Sequence, residues 1–154
     1  MKFPKLFLTG CVTLALAGAV WAGGHGGNPA VDARKAHMTL YQFHVTTLGN
    51  MARGNTDYNA EAASTAANAI VTLTTLDQSG YWVPGTDSDS VEGSRASATL
   101  WDNIPDAIAK GMATAEAAQV LASVAGDGSE AMVGGLQELN TACTACHRAY
   151  RVRR

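Results

Sequence analysis

The sequence has few of the residues from which disulfide-linked, β-sheet or nucleic-acid-binding proteins are built. Only three of its 154 residues are cysteine, and aromatic residues make up 6% of the chain. No stretch of useful length alternates apolar and polar residues, so a half-buried β-strand is not indicated. Eleven basic residues stand against thirteen acidic ones, and no basic patch suggests nucleic-acid binding. What is present is an alanine-rich chain with the length of one domain.

The first 22 residues are predicted to be a cleavable signal peptide rather than a membrane span. Lys2 and Lys5 precede an apolar run over residues 6–20, and Val20-Trp21-Ala22 forms a cleavage site. The run is too short to cross a membrane, and the glycines after it cannot continue it as a stable helix. We therefore expect export of the chain and cleavage after Ala22.

A second interpretation of this segment involves Cys11. The string Leu8-Thr9-Gly10-Cys11 resembles a lipoprotein processing box, which would make Cys11 the lipid-anchored first residue of the mature chain. The apolar stretch before it is very short, and the site at Ala22 is better. The favoured interpretation leaves a single domain over residues 23–154.

The most specific motif is Cys143-Thr144-Ala145-Cys146-His147, near the C-terminus. This C-x-x-C-H order is that of c-type haem attachment, in which two thiols bond the haem and the histidine binds the iron axially. A thioredoxin-like redox motif should accompany a βαβ pattern, and a structural zinc site needs a second pair of ligands. Neither is visible, so the motif predicts one covalent haem c. Both cysteines of the mature chain are then used, and no disulfide is expected.

Apolar periodicity predicts two helices in the first half of the chain. The first begins at Asn28-Pro29, a capping residue followed by proline, and ends near Arg53, before Gly54. The second begins near residues 57–59 and is stopped by Gly80. Its expected buried stripe consists of Ala62, Ala66, Ala69, Leu73 and Leu76.

Two further helices are predicted after a loop over residues 81–93. A third helix over about 94–125 should be kinked or restarted at Pro105, with Asn103 as a capping residue. Ser129 is expected to cap the last helix. The arginines at its end lie where a helix terminus favours positive charge. They are Arg148, Arg151, Arg153 and Arg154.

These helices predict an all-α fold: an antiparallel, up-down-up-down four-helix bundle. Its amphipathic helices are joined by mostly short turns, and the haem lies between facing helices. The loop over 81–93 is long for a helix–helix connection, which indicates a role such as covering a ligand.

The order of motifs resembles the class II cytochromes c, namely the cytochrome c′ group and its low-spin relatives. In the common small cytochromes c the haem motif lies near the N-terminus, whereas here it lies near the C-terminus. The resemblance covers nearly all of the mature chain. The matching segments are Arg34–Met38, Leu48–Gly54, Trp82–Thr86, Leu100–Asp102 and Cys143–Arg151.

The resemblance assigns roles to individual residues. It makes Cys143 and Cys146 the thioether links and His147 the proximal iron ligand. It places Arg34 beside the haem propionates, where a guanidinium suits a carboxylate, and Lys35 within reach of them. The alternatives are an exposed arginine and a solvated lysine.

Other positions carry two interpretations each. Arg151, one turn beyond His147, either stands near the proximal face or compensates the helix end. Trp82 and Trp101 either wall the haem pocket or belong to ordinary core packing.

Met38 occupies the position that faces the distal side of the iron in this family. In cytochrome c′ a bulky apolar residue there blocks the sixth site, and the five-coordinate iron admits nitric oxide or carbon monoxide. In the low-spin relatives a methionine bonds the iron, which suits electron transfer. Ligation by Met38 is favoured, a steric cap is the alternative, and plain helix core is a third interpretation. His37 should point about 100° away from Met38, off the iron axis.

The resemblance therefore implies a periplasmic one-electron carrier with redox partner proteins, or alternatively a gas-binding protein. An enzyme is not expected, because acid–base groups are missing from the expected surroundings of Met38. The family often forms homodimers through its first two helices. Small residues of the second helix would allow such an approach: Ala60, Ala62, Ala63, Ala66 and Ala67.

Overall fold

A computed structural model describes residues 27–153, which contain five α-helices and a 3₁₀ turn at Ser79–Tyr81. The expected signal peptide, Cys11 and Arg154 lie outside the described residues. Within this part, no helix is long and apolar enough to cross a membrane. The helices are α1 (Pro29–Ala52), α2 (Ala60–Thr75), α3 (Thr99–Asp102), α4 (Ile104–Val124) and α5 (Ser129–Tyr150).

The four long helices form a bundle, which confirms the predicted fold class. Around it, α1 packs on α2, α2 on α4, and α4 on α5, while the α1–α5 contact closes the ring. Short α3 packs on α4 and α5. The largest fully buried apolar side chains come from all four long helices: Leu48, Ile70, Leu121, Met132 and Leu139.

Both predicted ends of α1 are confirmed. The Asn28 side chain accepts hydrogen bonds from the backbone N–H groups of Ala30 (3.0 Å) and Val31 (3.3 Å). These bonds satisfy donors that a helix start leaves unpaired. After the helix, Gly54 has a φ of 70°, a left-handed conformation that glycine adopts without steric cost.

The predicted stripe and end of α2 are partly wrong. The helix ends at Thr75, before Gly80, and Leu76 takes an extended backbone with a side chain 45% exposed. Ala62 and Ala69 are only half-buried. Because an alanine-rich helix has little contrast between its faces, periodicity located the core side poorly. The buried side consists of Ala63, Ala66, Ala67, Ile70 and Leu73.

The predicted third helix begins too early. Residues 94–98 are not helical, because their backbone groups bond elsewhere: Ser97 N–H donates to the Tyr150 carbonyl, and Ser88 N–H to the Ala96 carbonyl. Helix α4 restarts after Asn103 as expected, and Pro105 fits its first turn. The expected side-chain caps at Asn103 and Ser129 do not form, and α5 begins after Gly128 instead.

One glycine sets how closely α5 approaches α4. A Cβ on Gly135 would lie 2.9 Å from the Leu121 Cα, closer than real Cβ contacts come. The missing side chain therefore allows the two backbones to pack tightly, whereas the α1–α5 contact is more open and contains a groove.

Candidate haem-binding site

The C-x-x-C-H motif occupies the last two turns of α5. Cys143 and Cys146 are half-buried, and His147 is exposed. Burial raises the pKa of both thiols, and the neighbouring Cys146 raises that of Cys143 further. Cys143 packs against the buried core, so the motif is anchored to the bundle from its inner side.

Beside the motif, a groove of about 420 Å³ separates α1 from α5. Its walls carry amides, apolar side chains and one arginine. The α1 wall consists of Gln42, Val45, Thr46, Gly49, Ala52 and Arg53, and the α5 wall of Val133, Leu136, Gln137 and Asn140.

Met38 and His147 continue the two walls of this groove. On α1, Met38 precedes Gln42 by four residues and Val45 by seven. On α5, His147 follows Asn140 by seven. Residues at these spacings lie on the same face of a helix. The two helices run in opposite directions, so both extensions lead to the same end of the bundle. Met38 is 37% exposed and is therefore not a plain core residue.

The protonation state of His147 suits a metal ligand. Its partial burial lowers the pKa of the imidazole, and the cationic Arg151 and Arg95 lower it further. A neutral imidazole is the form that binds a metal. His147 is thus prepared as a ligand, while its exposed side leaves room for a bound group.

Arg34 fastens the loop between α2 and α3 to α1. Only 6% of this residue is exposed, and burial lowers its pKa. Nη1 donates to the Tyr81 carbonyl (2.9 Å) and to Thr86 Oγ1 (3.2 Å). Nη2 donates to the Thr86 carbonyl (2.8 Å) and to Ser94 Oγ (3.1 Å). These bonds leave Nε–H for a haem propionate, so that role stays a prediction.

The two tryptophans lie against this arginine. The Arg34 Cζ atom is 4.8 Å from the Trp82 ring centroid and 6.0 Å from that of Trp101. Trp101 Nε1 donates to the Trp82 carbonyl at 3.1 Å. Both rings thus hold the arginine and the loop together, and Lys35 is exposed on the same turn of α1.

A second anchor ties the same loop to the C-terminus. Ala96 and Arg151 form an antiparallel bridge, and Val152 N–H donates to the Arg95 carbonyl at 3.0 Å. The loop is therefore held at α1 and again just beyond the haem motif. Nothing in the local sequence pattern indicates this pairing, because it joins segments more than fifty residues apart.

The burial of His37 and the Tyr150–Asp106 pair are features that sequence reasoning missed. His37 is 4% exposed, packs against the rings of Tyr41 and Tyr81, and has a pKa lowered by burial. Its Nε2 has no hydrogen-bond partner among the described residues. On α4, Asp106 accepts a hydrogen bond from the Tyr150 hydroxyl and pairs with Lys110 at 3.2 Å.

These residues fit a covalent haem. Two thiols one turn apart and the next imidazole form the donor set, which begins one turn beyond Asn140 of the groove wall on α5. On α1, Met38 lies one turn before Gln42 of the opposite wall and carries a polarizable thioether.

The family with the description Cytochrome C′ matches residues 29–151. This chain belongs to the cytochrome c′ family. The predicted family and the covalent haem c are thereby confirmed, and the protein is a c-type cytochrome that carries one haem.

Relatives with two different names, cytochrome c′ and cytochrome c-554, match this chain. Cytochrome c′ of Cereibacter sphaeroides is 37% identical over 124 residues, 80% of this chain and 83% of that protein. Cytochrome c-554 of the same bacterium is 30% identical over 121 residues, 79% of each chain. A solved structure of cytochrome c′ from Rhodobacter sphaeroides superposes with a TM-score of 0.79 at 37% identity, covering 81% of this chain and 96% of its own.

Proposed function

We propose that the protein binds a diatomic gas such as nitric oxide or carbon monoxide at its haem iron, with Met38 as a steric cap. The observation that carries the proposal is the 37% identity to a cytochrome c′ over 80% of this chain, above the 30% identity to cytochrome c-554. Solved cytochrome c′ variants from Alcaligenes xylosoxidans contain nitric oxide or carbon monoxide.

Each residue of the site has a defined task in this proposal. Cys143 and Cys146 would hold the haem on α5, and His147 would bind its iron. When bound, the haem would supply an iron atom that can take up one electron and bind a small gas molecule. Met38 narrows the space opposite His147 and leaves room only for a small ligand.

The second candidate is a one-electron carrier in which the Met38 sulfur bonds the iron. Two observations support it: the thioether side chain at this position and the likeness to cytochrome c-554. The sequence motifs alone favour ligation by Met38 over a steric cap, whereas the higher identity to cytochrome c′ favours the steric cap. In both cases we propose a periplasmic protein that exchanges electrons with redox partners, and a mature mass beginning at Gly23 would test the export.

Visible spectra of the ferric and ferrous holoprotein, with and without carbon monoxide, separate the two candidates. The proposal predicts high-spin spectra, a ready response to the gas, and the same behaviour in Met38→Leu, because leucine preserves the bulk without the sulfur. Two results together would establish the carrier instead: a low-spin spectrum that carbon monoxide does not change, and its conversion to a high-spin spectrum in Met38→Leu. Met112→Leu is the matched control, because that methionine is 60% exposed on α4.

A further inference from the structure

Four exposed arginines surround the end of the chain that contains His147. Arg148 lies on the last turn of α5, and Arg151 and Arg153 follow it. The backbone bridge between Ala96 and Arg151 brings Arg95 to the same place, and Arg95 Nη2 lies 3.5 Å from the Val152 carbonyl. We call these residues the arginine cluster: Arg95, Arg148, Arg151 and Arg153.

The charge at a helix end explains only part of this cluster. Arg148 and Arg151 lie at the end of α5, where cations compensate the helix dipole. Arg95 comes from the loop before α3, and Arg153 lies beyond the helix. Tertiary pairing, rather than the helix end, places these two arginines beside the others.

The rest of the protein has the opposite charge. Without Lys2 and Lys5 of the predicted signal peptide, nine of the eleven basic residues remain against thirteen acidic ones. The cluster and Arg154 account for five of those nine. Of the other four, Arg34 is buried and Lys110 is paired with Asp106, the carboxylate that also accepts the Tyr150 hydrogen bond. The other two, Lys35 on α1 and Arg53 at its end, are exposed. The described residues therefore gather four exposed arginines at one end of a chain that has more acidic than basic residues.

We propose that the arginine cluster is the docking surface for an acidic electron-transfer protein, which it brings to the His147 side of the haem. Charged surfaces steer association over distances near the Debye length, about 8–10 Å at ordinary salt. Arg148 follows His147 directly, and Arg151 caps the same helix one turn later, so the cluster borders the proposed iron ligand. The proposal requires a bound haem, and it holds both if Met38 bonds the iron and if Met38 only caps it.

Small oxidants of opposite charge test this surface. In a stopped-flow experiment, one electron passes from the ferrous haem to hexacyanoferrate(III), which becomes hexacyanoferrate(II). If the net charge governs the encounter, the two anions repel, and added salt raises the rate constant. If the cluster governs it, added salt lowers the rate constant severalfold between about 10 mM and 0.5 M. The cationic tris(phenanthroline)cobalt(III) should show the opposite trend.

Variants locate the effect. Arg148→Gln/Arg153→Gln should slow the low-salt reaction with hexacyanoferrate severalfold and remove most of its salt dependence, with an unchanged haem spectrum. The single changes Arg148→Gln and Arg153→Gln should each give part of this effect. Arg53→Gln is the matched control for them, because it removes the same charge from an arginine at the C-terminal end of α1.

Three results would overturn the proposal. One is a rate with hexacyanoferrate that rises with salt. Another is an Arg53→Gln effect equal to that of Arg148→Gln. The third is binding to phosphatidylglycerol vesicles through the cluster with no salt effect on electron transfer, which would assign the surface to a membrane instead.

Discussion

The two sides of α5 are packed in opposite ways. On one side, α5 approaches α4 so closely at Gly135 that even a Cβ atom there would lie too near the Leu121 Cα. On the other side, Val133, Leu136 and Asn140 face α1 across a groove. One face of α5 is therefore packed tightly and another is open, and the haem motif begins one turn beyond Asn140 at the end of the open face.

Beyond these two contacts, the Arg34 anchor holds the loop between α2 and α3 on α1, and its removal should have the largest effect. Arg34→Gln deletes several charge-assisted hydrogen bonds and leaves the acceptors of Thr86 and Ser94 with fewer donors. We expect a loss of about 2–4 kcal/mol in the free energy of unfolding of the holoprotein, measured with denaturant. Lys35→Gln, on the exposed neighbour, should change it by less than about 0.5 kcal/mol. Equal effects of the two variants would refute the anchor.

The tight side can be tested with adjacent glycines. Gly135→Ala forces a methyl group against Leu121 and should cost about 1–3 kcal/mol. Gly134→Ala meets nothing within 4 Å and should stabilise the helix by up to about 1 kcal/mol. Denaturant unfolding of both holoproteins measures the difference. A Gly135→Ala variant as stable as Gly134→Ala would show that the helices are not so close.

A smaller effect concerns the hydrogen bond between Tyr150 and Asp106, which joins the end of α5 to α4. The Tyr150 hydroxyl and then Lys110 lower the pKa of Asp106 below its usual value of 3.8. A carboxyl with a lowered folded-state pKa stabilises the protein above its unfolded pKa, and this stabilisation is lost as the pH falls through the folded pKa. Wild type should therefore lose more stability below about pH 4 than Tyr150→Phe does. The free energy of unfolding of both proteins is measured with denaturant at a series of pH values. Equal slopes of this free energy against pH for wild type and Tyr150→Phe would contradict the prediction.

The smallest effect on stability is expected on the outer face of α1. The alanines that the sequence suggested for a dimer contact are largely unavailable, because Ala63, Ala66 and Ala67 are buried in the protein's own core. Leu40 and Phe43, 49% and 66% exposed, provide the apolar surface instead.

We therefore propose a homodimer through α1. Phe43→Gln should shift sedimentation toward the monomer at micromolar concentration and change the free energy of unfolding of the monomer by less than about 0.5 kcal/mol. Met112→Gln is the control on α4. A wild-type protein that is monomeric at all concentrations would refute the dimer.

The sequence predicts the features that depend on neighbouring residues. Asn28, Pro29 and Gly54 determine the ends of α1 through local backbone chemistry, and the spacing of Cys143, Cys146 and His147 predicts where the haem is attached. Both are readable because each signal lies within a few residues.

Features that depend on distant contacts are not predictable in this way. The bridge between Ala96 and Arg151 draws residues 94–98 out of the helix that their composition suggests. The burial of His37 depends on Tyr81 from the following loop, and the acceptors of Arg34 come from the same loop. Propensity is a weak guide wherever tertiary contacts decide the backbone.

The affinity for carbon monoxide tests the central claim, that Met38 caps the iron opposite His147. In the ferrous holoprotein, Met38→Ala should lower the dissociation constant of carbon monoxide at least about tenfold, equivalent to about 1.4 kcal/mol, because the steric cap is gone. Met112→Ala should leave it unchanged. An unchanged affinity in Met38→Ala would contradict the account and place Met38 away from the distal side.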